Sequence, residues 1–275
     1  MAAATVWRGR AAPGYISPPA SRKIEKPLAM QPVNVLCIKW GRKYGPEYVN
    51  KLHAMVRRHL RRPFRFVCLT DDAQGIDPAI EVKPIPAVGF SEFDTRQPWT
   101  FGHGWLKLTS FARPLYDLSG RTLFLDLDIV IVDNIDAFFD AGGEFCVIRE
   151  WDKKDGTGNT SVYLYTIGAH ADALEHLKNN YPGALAGVRN EQEYITSYLG
   201  RQGKVSYWPA AWCVSFKRHC VARGLMNWVR APSIPPGAKI IAFHGKPNPP
   251  DAIAGVSGKW YRRVPPTQWV ADHWR

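Results

Sequence analysis

Long apolar runs are missing from this chain. Nowhere in its 275 residues does a hydrophobic stretch approach the roughly 20 residues that a bilayer-spanning helix requires, so no membrane-crossing segment is expected. A C-x-x-C pair is missing too. The five cysteines, Cys37, Cys68, Cys146, Cys213 and Cys220, are odd in number, and the first three lie in strand-like apolar runs. That pattern argues against a disulfide framework and for reduced, mostly buried thiols of a cytoplasmic protein. Acids are in deficit. With 24 Asp and Glu against 36 Lys and Arg, the net charge is +12, which suits a polyanionic partner such as nucleic acid, an anionic lipid surface or a diphosphate, without choosing among them. The chain is well supplied with core material. At 45% hydrophobic and 12% aromatic residues, it can fill one large α/β domain or two small ones.

Residues 1–31 carry Arg8, Arg10, Arg22, Lys23 and Lys26 against a single acid, Glu25. Prolines and small residues interrupt any periodicity, and the continuous apolar core of a secretory signal is lacking, so a disordered basic arm is expected. Met30, just ahead of the first strand-like run, is a candidate translation start.

Regular pattern begins at Val33. VNVLCI reads as a strand, KWGRKYG as a glycine-containing turn, and a helix follows from Pro46, with Val49, Leu52, Val56 and Leu60 on one face and Lys51, Arg57, Arg58 and Arg61 elsewhere. Phe64 to Leu69 is the next strand, completing a β-α-β unit with a right-handed crossover. Ligands of open parallel sheets bind beyond the carboxyl ends of strands, which makes Lys39, Trp40 and Asp71 candidate nucleotide contacts. Alternatively, Trp40 is packing and Asp71 caps a turn. After the Pro-rich KPIPAVGF, the segment His103 to Leu118 places Trp105, Leu108, Phe111 and Leu115 at helical spacing, with Lys107 off that face as a candidate diphosphate contact.

The chain is organised around Leu123 to Asn134, LFLDLDIVIVDN. This reads as a buried strand interrupted only by Asp126 and Asp128, and carboxylates are seldom buried without a partner. Period-two spacing sends both side chains to one side of an extended segment, so two hard oxygen ligands converge on one divalent cation. Alternatively, the strand ends at Leu125 and both aspartates are solvated. Asn134 is placed to cap a short helix, IDAFFD.

In the second half, a polar, glycine-rich loop (WDKKDGTGNT) precedes the strand SVYLYTIG and the helix ADALEHLKNN. NEQEYITSYL reads as a helix with Glu191, Gln192 and Glu193 in its first turn. IIAF is a strand that ends in His244, Gly245 and Lys246, a possible metal nitrogen beside a possible phosphate charge.

The β-α-β start, LFLDLDIVI, GNTSVYLY, the Glu191-Gln192 pair and FHGKP, in that order, resemble the GT-A-fold glycosyltransferases, especially the family-8-like retaining enzymes of bacteria. The likeness runs from about Val33 to Pro250. It implies a single Rossmann-like α/β domain over residues 32–250, with a mixed, mainly parallel sheet flanked by helices. It also implies a nucleotide-sugar donor, a uridine diphosphate sugar in that family's manner, and a glycan or lipid-linked acceptor. A divalent cation, Mn2+ or Mg2+, would be held at Asp126, Asp128 and His244. By the same resemblance Lys246 meets the donor phosphate, Asn159 holds the sugar or acceptor, and Gln192, with Glu191, lies near the anomeric carbon. Glu191 replaces that family's Asp, and the His-Gly-Lys-Pro spacing is shorter than usual. Residues 251–275 form an aromatic and basic tail expected to pack on the domain or at a membrane surface. Peripheral contact with the inner face of an anionic membrane is compatible with the charge.

Two other classes match parts of the sequence. DLDIV fits the nucleophile motif of haloacid-dehalogenase-type phosphatases, but 125 residues precede Asp126 and no Asp-Asp pair follows it. The basic charge alone would suit a non-catalytic nucleic-acid-binding protein, yet it is spread along the chain without a recognition motif, so no nucleic acid is expected.

Overall fold

A computed structural model describes residues 31–87, 103–180, 183–184, 186–222, 224–228, 230–256 and 264–275. The expectations of a disordered arm and of a start at Met30 lie outside the described residues, as does the end of KPIPAVGF.

The first strand, β1 (Val33–Lys39), leads to α1 (Pro46–His59) and returns as β2 (Phe64–Thr70), parallel to β1 in unbroken register from Val33 opposite Phe64 to Lys39 opposite Thr70. Proline at the first helical position, Glu47 in the first turn and Arg57, Arg58 and His59 in the last suit the helix dipole. The expected apolar face is the buried one, with Val49, Leu52 and Val56 fully enclosed. β3 (Glu81–Pro84) adds a parallel edge to β2.

On the other side of β1 lies β4 (Arg121–Leu125), also parallel to it. The main sheet continues through β7 (Gly158–Thr166) and β6 (Phe145–Arg149) to β8 (Val205–Tyr207), giving the order β3-β2-β1-β4-β7-β6-β8. The β4–β7 and β6–β7 pairings are antiparallel and β6–β8 is parallel. The side chains of Leu123, Phe124 and Leu125 are wholly enclosed, each worth about 1.5–3 kcal/mol of hydrophobic stabilisation.

The long strand expected over Leu123 to Asn134 is in fact two. β4 stops at Leu125, the chain turns through Asp126, Leu127 and Asp128, and β5 (Ile129–Ile131) enters a second sheet of order β5-β10-β9. β9 is Cys213–Ser215 and β10 is Ile240–Ala242. Both apolar halves are buried because each lies in its own sheet, and periodicity alone cannot register such a change of sheet. The alternative holds in its first half, since the strand does end at Leu125, but not in its second, since the carboxylates are taken up by protein groups described below.

His103–Phe111 is a 3-10 helix rather than the start of an α-helix running to Leu118; Pro114 prevents the continuation. Its apolar residues Trp105, Leu108 and Phe111, and Leu115 beyond it, are nevertheless buried as their spacing required. Asp136–Asp140 forms a second 3-10 helix, and Asn134 Oδ1 accepts the Asp136 N–H at 3.0 Å. Further α-helices are α2 (Ala171–Asn179), α3 (Glu191–Gly200), α4 (Pro249–Ala254) and α5 (Gln268–His273), with a π-helical turn at Phe216–Cys220 and a 3-10 turn at Gly224–Trp228. Beyond α5, Trp274 is buried and meets Tyr48 of α1 edge-on at 5.1 Å between ring centroids. All five cysteines are buried free thiols. Among the described residues, no helix is long and apolar enough to cross a membrane.

Candidate active site

The turn between the two sheets lies at the carboxyl end of β4, next to that of β1. Between them lies a cavity of about 340 Å3. Trp40 to Tyr44 of the β1–α1 loop form one wall, Gly104 and Lys107 another, and Asp126, Leu127 and Asp128 the third. The other candidates of the first β-α-β unit lie outside the cavity. Asp71 Oδ2 accepts the N–H of Gly41 at 2.9 Å, where Gly41 turns through a φ of +58°, a left-handed conformation that glycine adopts without steric cost. Lys39 is buried and reaches the Asp72 carbonyl at 3.4 Å. Of the three, only Trp40 faces the cavity.

Asp126 and Asp128 are held differently. Lys107 Nζ donates to Asp126 Oδ2 at 2.8 Å and stands 3.7 Å from Glu191 Oε1. Burial alone would push this lysine down, but Asp126 first and Glu191 second hold it above its ordinary range. Lys107 therefore stays charged between two carboxylates. Glu191 is also buried, with Thr160 Oγ1 at 3.4 Å, and a Cβ on Gly104 would come within 2.6 Å of its carboxylate. Glycine is what lets the 3-10 helix approach so closely. Asp128 Oδ2 accepts from Tyr44 Oη at 2.7 Å. Burial, then the charge of Asp126, raises the Asp128 carboxyl to about 6. These are two crowded carboxylates, and the charges of Lys107 and Lys43 only partly offset the effect on Asp128.

The sugar-side candidates gather around a residue that sequence reading did not single out. Opposite β6, the register of β7 jumps: Val147 faces Tyr163, but Ile148 faces Asn159. Such a bulge re-aims side chains. Here the Ser161 carbonyl meets the Asp126 N–H at 2.9 Å, and Asn159 Nδ2 donates to Glu150 Oε2 at 3.1 Å. Gln192 Nε2, from the first turn of α3, reaches the same oxygen at 3.3 Å. Asn190 sets that turn by accepting the Glu193 N–H at 3.0 Å. Glu150 thus ties Asn159 to Gln192. Its only signal in the sequence was its place at the mouth of the polar loop.

His244 is close to this site in the chain but turned away from it. The N–H of Phe243 meets the Asp128 carbonyl at 2.9 Å, while the next side chain, His244, packs on Trp151 with 5.4 Å between ring centroids and shares a 2.7 Å hydrogen bond with Ser215 Oγ. Burial, then the nearby Lys217, drives its pKa down to about 4, so the ring is neutral. It lines a second cavity, of about 430 Å3. Among the described residues, no three His, Cys, Asp or Glu side chains converge as a metal cluster, so Asp126 and Asp128 are together and His244 is not with them. Lys246 is exposed just beyond.

No family model matches the chain, and no curated protein sequence matches it. Solved structures do. The galactosyltransferase LgtC, in complex with donor and acceptor sugar analogs, is 13% identical over 78% of this chain and 88% of its own, with a TM-score of 0.53. An active-site mutant of LgtC aligns at 13% identity over 78% of this chain and 89% of that one, again at 0.53. The apo structure of WbbM, a bifunctional glycosyltransferase, is 12% identical over 82% of this chain and 48% of its own, with a TM-score of 0.55. The class that these likenesses define is structural. The chain has the GT-A fold, as one mixed α/β domain with a mainly parallel sheet flanked by helices.

Proposed function

We propose that the chain is a glycosyltransferase that moves a hexose from a nucleoside diphosphate sugar, with uridine diphosphate sugars the first choice, to a glycan or lipid-linked acceptor, with retention. The observation that carries the reading is the convergence of Asp126 and Asp128 on a cavity walled by the β1–α1 loop, at the carboxyl ends of two parallel strands. Such ends are where open α/β sheets take their ligands. The GT-A fold supports it, and does not favour the phosphatase reading.

The donor set of Asp126 and Asp128 fits a hard divalent cation, Mn2+ or Mg2+, since two carboxylates raise each other's proton affinity when no cation lies between them. His244 joins them only if its hydrogen bond with Ser215 is given up. A cation bound there supplies neutralisation of the charge that develops on the departing diphosphate. The chain's own residues supply the rest. Lys107 fixes the orientation of Asp126 through its hydrogen bond, and Tyr44 does the same for Asp128. Lys246, exposed beyond β10, offers a second positive charge to the diphosphate. Glu150 holds Asn159 and Gln192 side by side, so that both amides face the sugar in fixed orientation and serve the reacting centre without reorganising. In this scheme Glu191 is a positioning residue acting through Lys107.

The test is a screen of nucleotide sugars for thermal stabilisation with and without Mn2+. Any ligand that binds the native state raises its melting temperature by mass action. A uridine diphosphate sugar that stabilises only with the cation is the expected result. Equal indifference to every nucleotide sugar would end the reading.

A further inference from the structure

The second cavity is built from different chemistry. Lys217 and Arg218 line it, with His219 and His244, and Asp152, a carboxylate among its described lining residues, is ion-paired with Arg218. Ser215 organises both imidazoles, since its N–H donates to His219 Nδ1 at 3.0 Å and its Oγ bonds His244. Trp151 is fixed by its indole N–H on the Cys213 carbonyl at 3.3 Å. The lining also includes Asn227, which is 8% exposed and whose Oδ1 has no hydrogen-bond partner among the described residues. A buried acceptor left unpaired is unfavourable. A ligand O–H would satisfy it. Cations together with a waiting hydroxyl acceptor specify a ligand that is both anionic and hydroxylated.

The position of the cavity says which substrate this is. Trp151 directly follows Glu150, which binds Asn159 and Gln192, and His244 directly follows Phe243, which bonds Asp128. Two successive residues are about 3.8 Å apart between Cα atoms, so the cavity adjoins the candidate active site along two separate segments. We propose that it is the acceptor subsite and that it takes a negatively charged sugar unit, a phosphate- or carboxylate-bearing ring. This inference rests on the transferase reading above. The basic side chains select the charge, and Asn227 selects the ring hydroxyl.

Calorimetry on the full chain tests it, with glucose 6-phosphate, glucuronate, glucose and inorganic phosphate as probes and uridine diphosphate titrated in parallel in the presence of Mn2+. One of the two charged sugars, identifying phosphate or carboxylate as the preferred group, should bind at least about tenfold more tightly than glucose. Lys217→Gln combined with Arg218→Gln should remove that advantage while leaving uridine diphosphate affinity within about twofold. Lys217→Gln alone, which keeps the Arg218–Asp152 pair, should lose several-fold and guards against a misfolded double variant. Asn227→Ala should bring glucose 6-phosphate down to the level of inorganic phosphate. Charged sugars binding no better than glucose would overturn the proposal, as would inorganic phosphate matching glucose 6-phosphate in the unsubstituted protein. A parallel loss of uridine diphosphate in the double variant would overturn it too, by assigning the cavity to the donor. Charged sugars binding where uridine diphosphate does not would sink the transferase reading and leave the anionic-sugar site standing.

Discussion

Lys107 Nζ lies 2.8 Å from Asp126 Oδ2, and both side chains are largely enclosed, at 11% and 17% exposure. The pair therefore behaves as a buried one, in which removing a single partner leaves an uncompensated charge. Lys107→Met should destabilise the fold by about 3 kcal/mol, and Asp126→Asn on that background should recover part of the loss. Chemical denaturation of the two single variants and the double variant gives the coupling energy directly. Independent, additive effects would show that the contact is incidental.

Glu150 predicts a division between binding and turnover. Gln192→Ala removes an amide that matters mainly as the anomeric centre reacts, so nucleoside diphosphate affinity should stay within about twofold while turnover falls at least tenfold. Glu150→Gln should produce the same split, because it disturbs both amides at once. Calorimetry beside steady-state rates measures it. A surface role for Gln192 predicts a few tenths of a kcal/mol in stability and no change in rate.

Asp128 predicts a pH dependence. Its carboxyl titrates near 6 in the folded chain, above the roughly 3.9 of an unfolded aspartate. Between these values the native state holds more protons than the unfolded one, so stability is fully present below about pH 4 and declines as pH rises through 6. Cation affinity should move the other way, rising through the same window as the proton leaves. Melting temperatures from pH 4 to 7.5, with and without Mn2+, should diverge with increasing pH, and Asp128→Asn should abolish the slope assigned to this group.

Trp274 ties the carboxyl end to the site. It packs on Tyr48, Tyr48 lies 4.7 Å from Tyr44 between ring centroids, and Tyr44 holds Asp128. Lys51 Nζ also sits 4.0 Å over the Trp274 ring. Trp274→Ala should cost about 3–5 kcal/mol and, by loosening Tyr44, weaken cation-dependent donor binding. Denaturation and calorimetry on the same variant check both consequences.

Much of this architecture was legible in the sequence because its signals are local. Alternation and helical spacing marked β1, α1 and β2, the apolar runs marked both halves of LFLDLDIVIV, and Asn190 marked the start of α3. The change of sheet at Asp126 was not legible, since an apolar run reads the same whether it stays in one sheet or crosses to another. Long-range pairing hid the rest. The three-residue slip that aims Asn159 at Glu150 depends on β6, and the orientation of His244 depends on Ser215 and Trp151. Lys39 and Asp71 were placed at the right strand ends, but neither lines the cavity, because Lys39 bonds the Asp72 carbonyl and Asp71 accepts the Gly41 N–H.

The central claim is that Asp126 and Asp128 together hold the cation that binds a nucleoside diphosphate. The most direct measurement is a calorimetric titration of uridine diphosphate into the full chain with Mn2+, repeated for Asp126→Asn, Asp128→Asn and Lys246→Ala. The account predicts that the Mn2+-dependent part of binding disappears in both asparagine variants while the fold is retained. It also predicts that Lys246→Ala weakens binding about tenfold without removing its dependence on Mn2+. Unchanged, Mn2+-dependent binding in Asp128→Asn would contradict it.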